Sequence, residues 1–228
     1  MRRMIIPVML AVVLAAPCGA QQKESDTKHE GLAGKVKSVK TEEAKVSTKA
    51  GKLLEGKRQF LSSDSYNEAG ALVKAKKILV DSPADYFYSY DANGDRSEFV
   101  RLSTRSKRGI TRFKYDARGK RIEQEYSDDE VWLKTAYVYD TQGRRTEASS
   151  FGKQGLLFKT TYTYDAHGQV SVEIEYDSKG AVRGTKSYAY ELVASGNWTK
   201  RTTSEQVAKN GQTSFEPVEV TYRTIVYY

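Results

Sequence analysis

The sequence predicts an all-β protein, an extended and twisted antiparallel meander of repeated β-hairpins, long enough to curl on itself. Three observations predict it. One phrase recurs: Tyr88-Ser-Tyr90-Asp91-Ala-Asn-Gly94, Phe113-Lys-Tyr115-Asp116-Ala-Arg-Gly119, Tyr137-Val-Tyr139-Asp140-Thr-Gln-Gly143 and Tyr162-Thr-Tyr164-Asp165-Ala-His-Gly168, with a degraded fifth copy from Tyr188 to Gly196. Successive copies start 25, 24, 25 and 26 residues apart. Glycines punctuate the chain, mostly 10 to 16 residues apart, which is the length of a strand plus a turn. Helical periodicity is weak: residues 40–49 and 69–80 are the only candidates, and both keep the turn rhythm.

The first twenty residues stand apart. Arg2 and Arg3 precede an apolar run over residues 5–16 that only Pro7 interrupts, and Cys18-Gly19-Ala20 leads into polar Gln21. This pattern is a secretory signal, too short for a stable span. A lipid anchor on Cys18 is disfavoured by Pro17, where a small residue is wanted. Cleavage near Ala20 leaves a periplasmic or extracellular chain with no transmembrane span. It also removes the only cysteine and all three methionines. The exported chain then enters an oxidising space with no thiol to pair. Losing Arg2 and Arg3 takes the formal charge from +8 to +6, mildly basic. That charge suits anionic surfaces, but it is also ordinary solubility charge. Nucleic acid is a poor partner for an exported protein. Residues 21–34 are polar and aperiodic and are expected to form a flexible leader. Residues 35–228 carry no Pro-rich or Ser-rich linker and form one β-repeat domain.

The turns have a mechanism. The Asp91 side chain can accept bonds from the backbone beyond it, and Gly94 can take the left-handed conformation that closes a bulged hairpin. The same logic applies to Asp116 with Gly119, Asp140 with Gly143, Asp165 with Gly168 and Asp177 with Gly180. One unit is therefore two strands and two turns. Strand periodicity of two puts both rings of each Tyr-x-Tyr on one face. Arg96, Arg121 and Arg145 fall two residues after their glycines, and Glu98, Glu123 and Glu147 four after. Counted along a regular pleat, Arg and Glu share one face as a charge stripe, with long stems covering the rings. Lys35, Lys37 and Lys40 are expected to guard the first strand against edge pairing.

The Tyr-x-Tyr-Asp-x-x-Gly phrase resembles the YD repeat, also called the RHS repeat. Three further stretches are similar to small exported bacterial members of that family: Gly34-Lys35-Val36-Lys37-Ser38-Val39, Gly196-Asn197-Trp198-Thr199-Lys200-Arg201, and residues 218–228. The resemblance covers most of the chain after residue 34. Large members wind a hollow shell around a toxin. Here about 190 residues supply roughly fourteen strands, too few to enclose a domain.

Chemistry is sparse. His29 and His167 are the only histidines, and neither neighbours a cysteine or another histidine. A metal site or a histidine triad is not expected, nor any cofactor. The acidic turns 91–95 and 127–130 lack the ligand spacing of a calcium loop. Recurrent Glu98, Glu123 and Glu147 suggest a glycosidase carboxylate pair, yet recurrence favours a structural role over a singular catalytic one. Asn197-Trp198-Thr199 matches a glycosylation acceptor, accidental in a bacterial chain. The remaining candidate surface is aromatic and basic: Tyr88, Tyr90, Tyr115, Trp132, Tyr137, Tyr139, Tyr162, Tyr164 and Trp198, with Arg96, Arg121 and Arg145. Such groups stack on sugars and bind acidic groups, or else they are the sheet's own packing. The expectation is a non-catalytic exported protein with a structural or interaction role in the envelope, partnered by envelope polysaccharide or another envelope protein. The alternative is a binding module for envelope glycan or another anionic polymer.

Overall fold

The computed structural model describes residues 25–49, 52–79, 82–91, 95–103, 108–209 and 211–228. Residues 1–20, expected to be a secretory signal, residues 21–24 of the expected leader and Gly94 lie outside them. A short helix α1 (Asp26–His29) precedes fifteen strands: β1 (Val36–Lys49), β2 (Lys52–Glu55), β3 (Gln59–Tyr66), β4 (Leu72–Leu79), β5 (Ser82–Tyr90), β6 (Arg96–Ser103), β7 (Gly109–Tyr115), β8 (Arg121–Ser127), β9 (Trp132–Tyr139), β10 (Arg145–Gly152), β11 (Gly155–Tyr164), β12 (Val170–Asp177), β13 (Val182–Leu192), β14 (Trp198–Lys209) and β15 (Gln212–Tyr227). Both segments with helical potential are strands. From β3 to β15 the order in the sheet is the order in the chain, as the hairpin rhythm predicts.

The sheet curls until its ends meet. β15 pairs antiparallel with β1 from Val36–Tyr227 to Lys45–Glu219. The expectation that Lys35, Lys37 and Lys40 guard a free edge is therefore corrected, because β1 has a partner on each side. The ring is not sealed. β4 and β5 pair only at Ile78–Pro83 and Leu79–Ser82, which leaves a slit.

A repeated bulge drives the curl. Tyr115 opposes Arg121, but Lys114 opposes Glu123, so Ile122 is an extra residue. The same slip recurs at Val73, Ser97, Thr146, Ser171, Arg183 and Thr199, each three residues after a turn glycine. A bulge bends a strand and deepens its twist, and these seven copies among the described residues coil the sheet. The bulge also corrects the shared Arg/Glu stripe. Arg121 stays on the inner face with Tyr115, whereas Glu123 turns outward with Lys114. Glu98 and Glu147 follow, pairing outside with Arg112 at 3.1 Å and Lys159 at 3.7 Å.

The Asp turns form as their chemistry dictates. Asp140 Oδ1 accepts from the amides of Gln142 and Arg144, and Gly143 sits at φ +77°. An earlier copy is also present. Tyr66-Asn67-Glu68-Ala69-Gly70 makes the same turn, with Asn67 Oδ1 accepting from Ala71. In the degraded copy the turn begins at Val193 and not at Glu191, so β13 runs on to Leu192.

Successive hairpins are tied by tyrosine hydroxyls. Tyr90 donates to the Leu72 carbonyl (2.6 Å), Tyr115 to Arg96 (2.9 Å), Tyr139 to Arg121 (2.6 Å), Tyr164 to Arg145 (2.5 Å) and Tyr190 to Val170 (2.9 Å). Each bond links the end of one strand to the start of the strand before it. Tyr228, just past β15, makes a different tie, to the Tyr66 carbonyl at the end of β3 (2.6 Å).

Residues 25–34, expected to be loose, are packed. Asp26 and Thr27 are buried, and Ser25 caps α1 by accepting from the Lys28 amide. Asp26 binds Arg96 at 2.5 Å and accepts from the Leu72 amide at 2.8 Å, bridging the slit between β4 and the β5–β6 hairpin. Tyr90, on β5, shares the same carboxylate (3.3 Å). Further along, Ala33 exchanges two 2.8 Å bonds with the buried Asn197 side chain. Asn197 is therefore a structural clamp. Leu32 joins Val36, Val39, Tyr66 and Leu72 in a small apolar core beneath this segment.

Replacing Asp26 by Ala strands Arg96 and reopens the slit. A loss of about 3–5 kcal/mol is expected in urea unfolding. Tyr164→Phe, which removes one hydroxyl tie, is expected to cost about 1 kcal/mol.

Candidate anion-binding interior

The inner face carries rings and guanidiniums in alternation. Arg96 lies 5.3 Å from the Tyr88 ring and 5.8 Å from Phe113, Arg121 lies 4.5 Å from Phe113, and Arg145 lies 4.3 Å from Tyr137. Beyond them Arg201 lies 5.2 Å from Tyr188, and Arg223 stacks on Trp198 at 3.7 Å. Each such contact contributes roughly 0.5–2 kcal/mol, according to how dry it is. They let a chain with few aliphatic residues fill its interior.

The charges are unevenly matched. Arg96 has Asp26. Among the described residues no ion pair holds Arg121, Arg145, Arg201 or Arg223, and the buried Nε of each lacks a hydrogen-bond acceptor, as do Arg121 Nη2 and the Nε of Arg96. A buried donor left so costs about 1–3 kcal/mol. Burial lowers the Arg223 proton affinity and nearby Arg201 adds to that, while Glu30 pulls it back.

These groups converge on one cavity of about 370 Å³. β8 to β15 supply its wall, and Lys28, His29, Glu30 and Gly31 of the packed leader lie across it. Seven Lys and Arg line it against one carboxylate, Glu30.

Of the residues expected to bind, the cavity gathers Tyr139, Tyr162, Tyr164, Trp198, Arg121 and Arg145. Tyr88 and Arg96 line a smaller neighbouring cavity with Glu30 and Tyr66. Tyr90 and Tyr115 are occupied by their hydroxyl ties, Tyr137 packs inside under Arg145, and Trp132 sits on β9 beside Ser127, outside the cavity. Sequence reading missed Arg201, Arg223, Tyr190 and the leader residues. Arg201 gave no repeat signal, since it falls five residues after Gly196 and Trp198 takes the position two after, where earlier copies carry Arg. The leader had none, because its burial depends on Arg96, seventy positions away.

The acidic turns are spent on structure. Asp128 Oδ1 accepts from Glu130 and Val131, and Oδ2 accepts from the Tyr126 hydroxyl. Glu98, Glu123 and Glu147 stay on the outer face of alternate strands, each against Lys or Arg.

No family model matches the chain, and no curated protein matches it in sequence. Among solved structures it is similar to a porin-like protein from Bacteroides uniformis, with TM-score 0.48, 12% identity, and coverage of 85% of this chain and 98% of that one. It is also similar to part of the Photorhabdus luminescens Tc holotoxin pore, with TM-score 0.32, 16% identity, and coverage of 69% of this chain and 10% of that one. At such scores the likenesses bear on neither ligand nor activity.

Burial pushes the inward phenols up: Tyr137, Tyr162, Tyr164 and Tyr190 lie above the ordinary value, with arginines pulling back, and Tyr90 is pushed up to about 12 by burial and then by Asp26. A phenol raised in the fold adds stability that is fully present below its unfolded value, 10.0, and is lost as pH rises through the folded value. Unfolding free energy is therefore expected to fall between pH 10 and 12. Tyrosinate absorbance should show a late-ionising class that disappears in denaturant.

Proposed function

We propose that the chain is a small exported YD-repeat protein of the bacterial cell envelope, non-catalytic, with a structural or interaction role. The hydroxyl ties carry this reading. The second tyrosine of each phrase holds one hairpin to the one before, so the recurring residues build a framework. Among the described residues no helix is long and apolar enough to cross a membrane. The outer strand face argues against a lipid-facing barrel, because cross-strand pairs such as Lys114–Glu123 (2.6 Å) and Arg112–Glu98 (3.1 Å) would meet hydrocarbon.

A second reading, binding of an anionic envelope polymer, is favoured by the unpaired arginines. It takes a different form from a Tyr/Arg surface, since that face lies inside the curl and a polymer would have to engage an opening.

Expressed with its own first twenty residues, the protein is expected in the periplasmic or extracellular fraction with Gln21 at its N-terminus. A cytoplasmic product still bearing Met1 would contradict the export reading. Co-sedimentation with acidic polysaccharide at low salt tests the polymer, and no retention there would remove it.

A further inference from the structure

We infer that the cavity beneath residues 28–31 is a binding site for one small oxyanion-bearing ligand: a phosphate or carboxylate group, free or carried on a body no larger than a monosaccharide. The inference goes beyond the framework reading and does not depend on where the protein is exported.

Four observations carry it. The first is charge. Arg121, Arg145, Arg201 and Arg223 come from four strands, and among the described residues none is in an ion pair. A framework alone gains nothing from such an arrangement, since apolar residues of similar volume would fill the space at less cost. The second is donor geometry. Among the described residues the buried Nε of all four arginines has no acceptor, as is also true of ion-paired Arg96, and Arg121 Nη2 lacks one as well. Planar guanidinium forks match the oxygens of phosphate and carboxylate.

The third is preorganisation. Arg145 lies over Tyr137 at 4.3 Å, and Arg223 over Trp198 at 3.7 Å. Their planes are held before a ligand arrives, so little side-chain entropy remains to be lost on binding. The fourth is size. About 370 Å³ lies at the low end of the roughly 300–1,000 Å³ typical of small-molecule sites. The cavity is partly open to solvent, so a ligand can enter, and positive potential concentrates where the arginines meet. Glu30 is the one opposing charge, and it belongs to the segment lying across the cavity.

The test is calorimetric titration and thermal unfolding of the purified protein at low ionic strength. The probes are inorganic phosphate, glucose 6-phosphate, glucuronate and uncharged glucose. At least one anion is expected to bind and raise Tm. Glucose is expected to do neither, and added chloride salt should weaken binding. Whether phosphate alone suffices separates a free ion from a sugar-borne group. Arg121→Met and Arg145→Met are expected to weaken binding at least tenfold. Their Tm without ligand should be unchanged or higher, because each removes an uncompensated buried charge. Glu30→Gln is expected to tighten binding. The inference is overturned if none of the anions binds, if glucose binds as well as they do, or if both arginine variants bind as the parent does. If acidic polysaccharide is retained while every small anion fails, the polymer reading survives and this one falls.

Discussion

The hydrogen bond from a strand-end tyrosine to the backbone of the preceding strand is the constraint on which this structure rests. A meander of fifteen short strands has few apolar side chains to hold it. Its hairpins are closed at one end by Asp turns and at the other by varied loops. The hydroxyl ties fasten one hairpin to the next at the Asp-turn end, where neighbouring hairpins would otherwise splay. At the slit between β4 and β5 the ladder is almost absent. There the Tyr90 tie and the Asp26 carboxylate take over the bridging. A segment outside the repeats thus completes what the repeats leave open.

The bulge sets the chemistry of both faces. In the three copies that carry Arg, one extra residue after the turn glycine sends Arg96, Arg121 and Arg145 inward and Glu98, Glu123 and Glu147 outward. Outside, Glu123 sits between Lys114 at 2.6 Å and Lys134 at 3.6 Å, and such exposed pairs contribute little to stability but keep the surface polar. Inside, Arg96 meets Asp26, whereas Arg121, Arg145, Arg201 and Arg223 meet rings. Stacking offsets part of the cost of burying them, and the remaining positive field makes the cavity selective for anions.

Much of the fold was legible. The 24- to 26-residue period, the Asp and Gly of each turn and the strand character of Tyr-x-Tyr are local features, and local chemistry decides them. The Arg/Glu stripe failed because a regular pleat was assumed. The turn glycine already implied a bulged hairpin, and one slipped residue reverses the face of everything after it. Asn67 hid the earliest copy, because an amide makes the Asp turn equally well. The union of β1 with β15, the burial of Asp26 and the convergence of Arg201 with Arg223 are long-range consequences of curl. No spacing within one unit encodes them. The site was legible only in part: Arg121, Arg145 and Trp198 stood out by recurrence or rarity, whereas residues 28–31 looked like tail.

The most direct test compares neighbouring positions on one strand. The sequence after residue 20 contains no cysteine, so an introduced thiol reports alone. Glu147→Cys and Ala148→Cys differ by one residue on β10, the first on the charged outer face and the second buried inside at 7% exposure. The account predicts that a maleimide modifies position 147 at the rate of a free thiol and position 148 only on unfolding. Equal rates, or faster reaction at 148, would contradict it.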